Sequence, residues 1–351
     1  MKTLKVQVSS GAYNVSIGAD YKSIAEYVKK LGKARKVFVV SDTNVLPIYG
    51  RAIESALLAA GFDTANYAVA AGEENKRLST IENLYEAFHS HGMTRTDIII
   101  ALGGGVIGDM TGFAAGTYLR GVPYIQVPTS LLAQIDASVG GKTGVDTAYG
   151  KNLVGLFNQP VAVLIDPNML KTLSPEVFRD GMAEAIKYGL IKDAELYNRI
   201  LYGEFREDLE ELIYECISIK NSIVSQDERD QGERMLLNFG HTIGHAIEKC
   251  GNYQKYTHGQ AVAIGMVYAA EIGEALGVTA QGTKEAIILI LKKYALPICA
   301  DEDKEQIYSA LLSDKKKSGD TIHFILLKSI GNAIIYPIDV LELKKLLGDI
   351  F

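Results

Sequence analysis

An α/β N-terminal domain, Rossmann-like with a mostly parallel sheet, followed by a mainly α-helical C-terminal domain, is the fold class this sequence predicts. Three observations predict it. In the first half, short β-branched runs alternate with helical patterns, as expected for parallel strands covered by helices. One of those runs, from Asp97 to Gly105, passes from an apolar strand into three glycines and then a helix. From Ser174 onward strand patterns give way to helical ones. A chain of 351 residues is long for one domain, and the change of pattern divides it into 1–166 and 167–351.

In order, strands are expected at 3–8, 13–17, 36–41, 97–102 and 122–127, with helices near 20–31, 47–60, 78–91 and 106–118. A strand at 161–165 closes the first domain. In the second, Ser174 can cap a helix and Pro175 suits its first position, opening a run to Leu190. Further helices are expected at 207–226, 232–249, 259–276, 284–294 and 302–312. A strand pair at 321–327 and 332–336 precedes a last helix near 339–347. There is no internal repeat, low-complexity tract or flexible linker.

Composition narrows the function classes. Hydrophobic residues at 48% and charged residues at 22% belong to an ordinary globular protein. A net charge of −6 argues against nonspecific binding to nucleic acid or to an anionic membrane. The opening MKTLKVQVSSGAYNVSIGAD alternates like a strand and lacks the apolar run of a signal peptide. No stretch approaches the ~20 apolar residues of a membrane span. Cys216, Cys250 and Cys299 are odd in number and far apart, which fits reduced thiols in a cytoplasmic protein.

The strand end at Gly103, Gly104 and Gly105 is the first candidate site. Glycines let the backbone approach a phosphate, and a helix N-terminus offers free N–H groups and a positive dipole end. Gly103, Gly105 and Gly108 match the G-x-G-x-x-G spacing of dinucleotide-binding turns. The expected acidic ribose partner is absent some 20 residues on, where the chain reads Tyr124 to Thr129. Asp42, ending the strand Val39-Val-Ser-Asp, supplies such a carboxylate or serves as a turn cap. Next, Asp136, Lys142, Lys151 and Asn152 stand among glycines and small residues, a composition suited to capturing phosphate or carboxylate.

The second candidate is Arg234 to His258, which holds three of the six histidines. If the segment is helical throughout, Arg234, Asn238, His241 and His245 form one polar stripe, opposite Met235, Leu236, Leu237, Phe239, Ile243 and Ile247. Buried polar groups need partners. Backbone carbonyls could satisfy these imidazoles, and so could a metal with a carboxylate. Glu184, three residues before Lys187, is either that carboxylate or half of a surface ion pair. Glu184, His241 and His258 would make an open site for a divalent ion, zinc or cobalt. With the metal in the helical half and the glycine turn in the sheet half, the active site is expected in the interdomain cleft. Arg120, Lys187 and Lys220 add to cations that suit an anionic substrate.

The blocks GGGVIGDMTGF (103–113), RG (120–121), QIDASVGGKTGVD (134–146), GKN (150–152), GMAEAIKYG (181–189), RMLLNFGHTIGHAIE (234–248), HGQAVAIGM (258–266) and DKK (314–316) resemble, in order, those of the 3-dehydroquinate synthase family. The resemblance implies a cytoplasmic homodimer of the shikimate pathway. It implies conversion of 3-deoxy-D-arabino-heptulosonate 7-phosphate to 3-dehydroquinate and phosphate, with NAD+ regenerated at each turnover and one divalent metal. The implied steps are oxidation at C5, phosphate elimination, reduction, ring opening and an intramolecular aldol closure.

Carried over by position, the resemblance places metal ligands on Glu184, His241 and His258. It places NAD contacts on Asp42, Asn44, Glu73, Lys76, Gly104, Gly105, Val106, Asp109, Thr129, Ser130, Lys151, Thr172 and Leu173, with Ser130 standing where the family usually has Thr. Substrate contacts fall on Arg120, Asp136, Lys142, Asn152, Lys187, Lys220, Arg234, Asn238, His245 and either Lys315 or Lys316. His245 is the expected proton relay, because imidazole titrates near working pH. Three readings compete: a cyclase forming deoxy-inosose or valiolone rings, a metal-dependent polyol dehydrogenase, and a non-catalytic NAD- or metal-binding protein. The 134–146 block and the Arg234–Asn238 pair speak against the first, the cluster of cations against the second, and the complete ligand set against the third.

Overall fold

The computed structural model describes residues 1–203, 205, 207–315, 321–340, 342 and 343. Its contacts divide the chain into two compact units, Met1–Leu173 with Lys220–Glu228, and Ser174–Ile219 with Arg229–Phe351.

The first unit is α/β. Its strands are β1 (Lys2–Val8), β2 (Gly11–Ile17), β3 (Lys36–Asp42), β4 (Asp63–Val69), β5 (Ile98–Gly103), β6 (Tyr124–Pro128), β7 (Lys142–Thr147), β8 (Gly150–Phe157) and β9 (Ala162–Ile165). Seven of them form one sheet in the order β1-β2-β9-β6-β5-β3-β4, parallel throughout except for the β1–β2 hairpin. Helices α1 (Ile24–Leu31), α2 (Arg51–Ala59), α3 (Leu78–Ser90) and α4 (Gly105–Thr117) join the strands. Side chains alternate across a strand, so the central strands feed two cores. Val37, Val39, Ile98 and Ile100 pack with Val28, Ile53 and Leu57. Phe38, Val40, Ile99 and Ala101 pack with Ile81, Leu84 and Met110. Each such burial stabilises by roughly 1.5–3 kcal/mol before chain entropy is subtracted. Buried on both faces, these strands read as continuous apolar runs.

Two elements here differ from expectation. β4 is an edge strand whose Asp63, Thr64 and Asn66 are exposed or half-buried, so its sequence lacks the apolar run of its neighbours. The glycine-rich stretch around Lys142 and Lys151, where no strand is expected, forms the β7–β8 hairpin, held by antiparallel pairing from Lys142↔Phe157 to Thr147↔Gly150.

The second unit is mainly helical, with α5 (Pro175–Lys192), α6 (Ala194–Tyr202), α8 (His241–Cys250), α9 (His258–Ala275), α10 (Thr283–Lys293) and α11 (Lys304–Lys315); α7 (Leu209–Gln226) contributes to both units. The pair β10 (Thr321–Ser329) and β11 (Asn332–Asp339) is antiparallel. Ser174 caps α5, accepting from the Val177 N–H, and Pro175 occupies its first turn. α6 was not foreseen; Asp193 separates it from α5 by ending one helix and capping the next through the Glu195 and Leu196 N–H groups. The helix expected near 339–347 falls mostly outside the described residues, as does Lys316.

The continuous helix expected over 232–249 is broken. Glu233–Asn238 is a 3-10 turn, Phe239 is non-helical, and Gly240 takes a left-handed φ of 79° before α8 begins at His241. Arg234 and Asn238 therefore do not continue the stripe of His241 and His245. The cause is packing: a Cβ on Gly240 would come within 2.8 Å of the Val262 carbonyl oxygen of α9. Only a glycine fits between these helices, and its backbone ends the preceding turn.

Candidate functional site

In the second unit three side chains converge from three helices. Glu184 projects from the middle of α5 and is fully buried. His241 opens α8 and His258 opens α9. The His241 and His258 Nε2 atoms lie 3.6 and 3.7 Å from Glu184 Oε1, and the ring centroids are 5.2 Å apart. Those distances are too long for hydrogen bonds. Glu184 Oε1 is buried and has no hydrogen-bond partner. Its other oxygen pairs with the Lys187 ammonium, one turn along α5 and itself buried.

The tautomers sharpen this. His241 Nδ1 lies 3.1 Å from the Phe239 carbonyl oxygen, which only accepts, so Nδ1 is assigned the proton and Nε2 the lone pair. Burial, reinforced by the charges of Lys187, His258 and His245, holds the His241 pKa well below the ordinary imidazole value, and the ring is neutral. A lone pair on Nε2 thus faces a carboxylate oxygen in a buried setting, which is repulsive with nothing between them. A divalent cation would resolve it, since two imidazoles and a carboxylate are its usual donors. Burial lowers the His258 pKa too, but Glu248 and Glu184 outweigh it and raise the value overall. His258 therefore holds a proton more readily than an ordinary imidazole.

The rest of the second unit's candidates lie nearby or apart. His245, exposed, stands one turn along α8, its ring 5.5 Å from that of His241 and 6.3 Å from that of His258. Arg234 is buried and Asn238 half-buried, both on the 3-10 turn before α8. Lys315 is the last residue of α11. Two carboxylates passed over in the sequence reading matter here. Asp180 accepts from the Thr257 hydroxyl and, at 2.7 Å, from the Gly259 N–H, fixing the start of α9. Glu248 lies 3.7 Å from His258 Nδ1. The available signals were spacings: Asp180 is one helical turn before Glu184, and Glu248 three residues after His245.

In the first unit the residues following the parallel strands share one edge of the sheet, where such sheets bind ligands. β5 ends at Gly103, Gly104 caps α4 with extended backbone, and Gly105 and Val106 open the helix. The Thr129 N–H donates to the Gly103 carbonyl at 3.0 Å, holding the end of β6, with Ser130 beyond it, beside the turn. A Cβ on Gly108 would press on Gln126 Oε1 at 2.6 Å, so this glycine serves close packing of helix on strand. Asp42 ends β3 and its Oδ1 accepts from the Asn44 and Val45 N–H groups at 2.8 and 2.9 Å. The turn-capping role is thus seen directly. Thr172 and Leu173 follow β9 through a 3-10 turn.

Lys76 joins two groups that the sequence reading kept apart. Its ammonium donates to Asp109 Oδ2 at 2.6 Å and to Asn152 Oδ1 at 2.7 Å, with Glu73 3.8 Å away. Burial would lower the Lys76 pKa, but Asp109 outweighs it, so the side chain stays charged. Asp146, also unforeseen, completes the network: its N–H donates to the Lys76 carbonyl, and its Oδ1 accepts from the Asn152 N–H at 2.7 Å. Lys151, half-buried, lies beside Asn152 on β8. Lys220 donates to both the carbonyl and the carboxylate of Asp136, at 2.7 and 2.8 Å. Arg120 and Lys142 are exposed, the first after α4 and the second opening β7.

A parallel sheet with a glycine-rich turn in one unit, and two imidazoles with a carboxylate in a helical other, have the features of metal-dependent, nucleotide-binding enzymes. Comparison narrows the class. Residues 66–180 match the family model described as 3-dehydroquinate synthase N-terminal, and residues 181–317 the one described as 3-dehydroquinate synthase C-terminal. The 3-dehydroquinate synthase of Clostridium kluyveri is 46% identical, covering 100% of this chain and 99% of that one. The chain belongs to the 3-dehydroquinate synthase family. Among solved structures it is similar to a 2-deoxy-scyllo-inosose synthase complexed with carbaglucose-6-phosphate, NAD+ and Co2+, with a TM-score of 0.87, 30% identity, and coverage of 99% and 100% of the two chains. It is also similar to ValA, the 2-epi-5-epi-valiolone synthase of Streptomyces hygroscopicus with NAD+ and Zn2+ bound, with a TM-score of 0.86, 26% identity, and coverage of 96% of each.

Proposed function

We propose that this chain is a 3-dehydroquinate synthase, converting 3-deoxy-D-arabino-heptulosonate 7-phosphate to 3-dehydroquinate and phosphate with catalytic NAD+ and one divalent metal. One observation carries the reading: in a chain of this family, Glu184 Oε1 is buried without a hydrogen bond and faces two imidazole nitrogens at 3.6 and 3.7 Å. Glu184, His241 and His258 would hold the metal. Bound there, the metal supplies Lewis acidity to a substrate hydroxyl, and NAD+ supplies a reversible hydride acceptor.

The chain's own residues do the remainder. Lys187 neutralises half of the buried Glu184 carboxylate, leaving Oε1 for the cation. The backbone N–H groups at Gly104, Gly105 and Val106 suit the pyrophosphate of NAD+, at the positive end of α4. Lys76 braces Asp109 and Asn152 beside that turn, and Asp42, Asn44, Glu73, Thr129, Ser130, Lys151, Thr172 and Leu173 complete the cofactor's contacts. For the substrate, this reading assigns Arg120, Asp136, Lys142, Asn152, Lys187, Lys220, Arg234, Asn238, His245 and a lysine of the 314–316 block. Exposed beside two half-buried imidazoles, His245 would pass a proton between the substrate and solvent. A cytoplasmic homodimer goes with this reading; the three free cysteines fit the reducing compartment and do not bear on the dimer.

The test is turnover of the heptulosonate phosphate with substoichiometric NAD+ and Zn2+ or Co2+, following phosphate release and the carbocyclic product. Many turnovers per NAD+ are expected. No turnover, or NADH accumulating in step with substrate loss, overturns the assignment.

A further inference from the structure

His258 can serve Glu184 and His241 only if its Nε2 is unprotonated and aimed at Glu184. A neutral imidazole has one lone pair, so the other nitrogen must keep the proton. Two features outside the ligand set bear on this. The main chain at His258 is fixed by Asp180, which takes the Thr257 hydroxyl and the Gly259 N–H. A Cβ on Gly259 would lie 2.3 Å from the Asp180 carbonyl oxygen, so α9 sits as close to α5 as backbone permits. The side chain retains its rotation and its choice of tautomer. Glu248, from α8, is buried, and its Oε1 lies 3.7 Å from His258 Nδ1.

We propose that Glu248 is a positioning residue for His258: its carboxylate draws the Nδ1 proton and thereby turns Nε2, as a lone pair, toward Glu184. The inference rests on reading Glu184, His241 and His258 as a metal site. A carboxylate on the far nitrogen of a metal-binding imidazole raises its basicity and fixes its tautomer.

His245, Glu248 and His258 are also close enough to gather a cation on the Nδ1 side. Serving that group would put the proton on Nε2 and withdraw the ligand from Glu184, whose Oε1 is buried and unsatisfied. His245 is exposed and Glu184 fully buried, so the need for a cation is greater on the Nε2 side.

The experiment measures Zn2+ affinity by chelator competition, with the visible spectrum of the Co2+-loaded protein and the imidazole 15N spectrum of the Zn2+-loaded one. Wild type is expected to bind one ion tightly, with a hydrogen-bonded proton on His258 Nδ1. Glu248→Leu should weaken affinity about 10–100-fold, shift the Co2+ bands and lose that proton signal. Glu248→Gln, which keeps an acceptor without charge, should fall between, and it supplies the answer if the Leu variant does not fold. Wild-type affinity in both variants overturns the assignment. So does loss of a second, weaker ion with the tight site intact, which would make Glu248 a ligand of its own. If His258→Ala still binds Zn2+ as wild type does, the metal reading itself fails.

Discussion

Gly265 of α9 lies so close to Gly240 that a Cβ on it would come within 2.0 Å of the Gly240 carbonyl oxygen. This contact sets where α8 starts relative to α9, and so how His241 and His258 face Glu184. Gly265→Ala forces the helices apart. It is expected to cost about 1–3 kcal/mol of stability, as overpacking does. It should also weaken metal binding although no ligand is altered. Thermal unfolding and metal content of the purified variant check both. Normal metal affinity at reduced stability would mean that the helix crossing does not govern the site.

Lys76 neutralises Asp109 and holds the Asn152 side chain. Lys76→Met leaves the carboxylate in a half-buried setting with its strongest partner removed. A loss of about 1–3 kcal/mol is expected, together with at least a tenfold rise in the NAD+ dissociation constant. Lys76→Met combined with Asp109→Asn should recover part of the stability, because the stranded charge is gone, and none of the affinity. Equal stability in the single and double variants would show that the ion pair contributes little.

Lys142 is exposed at the first position of β7, and the proposed function assigns it to the substrate and not to NAD+. Lys142→Ala is therefore expected to reduce kcat by two orders of magnitude or more while NAD+ affinity changes less than threefold, the size of effect a lost transition-state contact produces. Steady-state kinetics and NAD+ titration separate the two. The reverse result would move Lys142 to the cofactor.

The sequence made the parallel sheet legible because its central strands are buried on both faces and are therefore mostly apolar, as Ile98 to Leu102 show. It hid β4, whose edge position admits Asp63 and Asn66, and the β7–β8 hairpin, whose glycines resemble a loop. The group Glu184, His241 and His258, which the structure brings together, was readable because Glu and His are chemically unlike an apolar helical background. Its support was not. Asp180 and Glu248 act through contacts between separate helices, and Asn-Phe-Gly-His at 238–241 breaks a helix only because α9 lies against Gly240. Periodicity records which face of a helix is buried, and it carries no information about what packs there. For the same reason Lys76 and Asn152 could be assigned separately to cofactor and substrate, though the structure joins them.

Asp97 ties the start of β3 to the turn before β5. One oxygen accepts from the Arg35 and Lys36 N–H groups at 3.2 and 2.9 Å, the other from the Thr94 N–H and hydroxyl at 2.8 and 2.7 Å. Burial alone would raise its pKa, but these four donors outweigh it and hold the value below the usual carboxylate range. A carboxyl whose pKa is lower folded than unfolded adds stability above its unfolded value of about 3.9, and that stability is lost as pH falls through the folded value. Asp97→Asn presents an amide donor to one pair of N–H and O–H donors. It should destabilise the protein by about 2 kcal/mol at neutral pH. The gap to wild type should narrow in acid, as the wild-type carboxyl takes up its proton and loses the same hydrogen bonds. Urea unfolding of both proteins at neutral pH and at successively lower pH measures that gap. A gap constant with pH would mean that the four donors recognise the shape of the side chain at position 97 and not its charge.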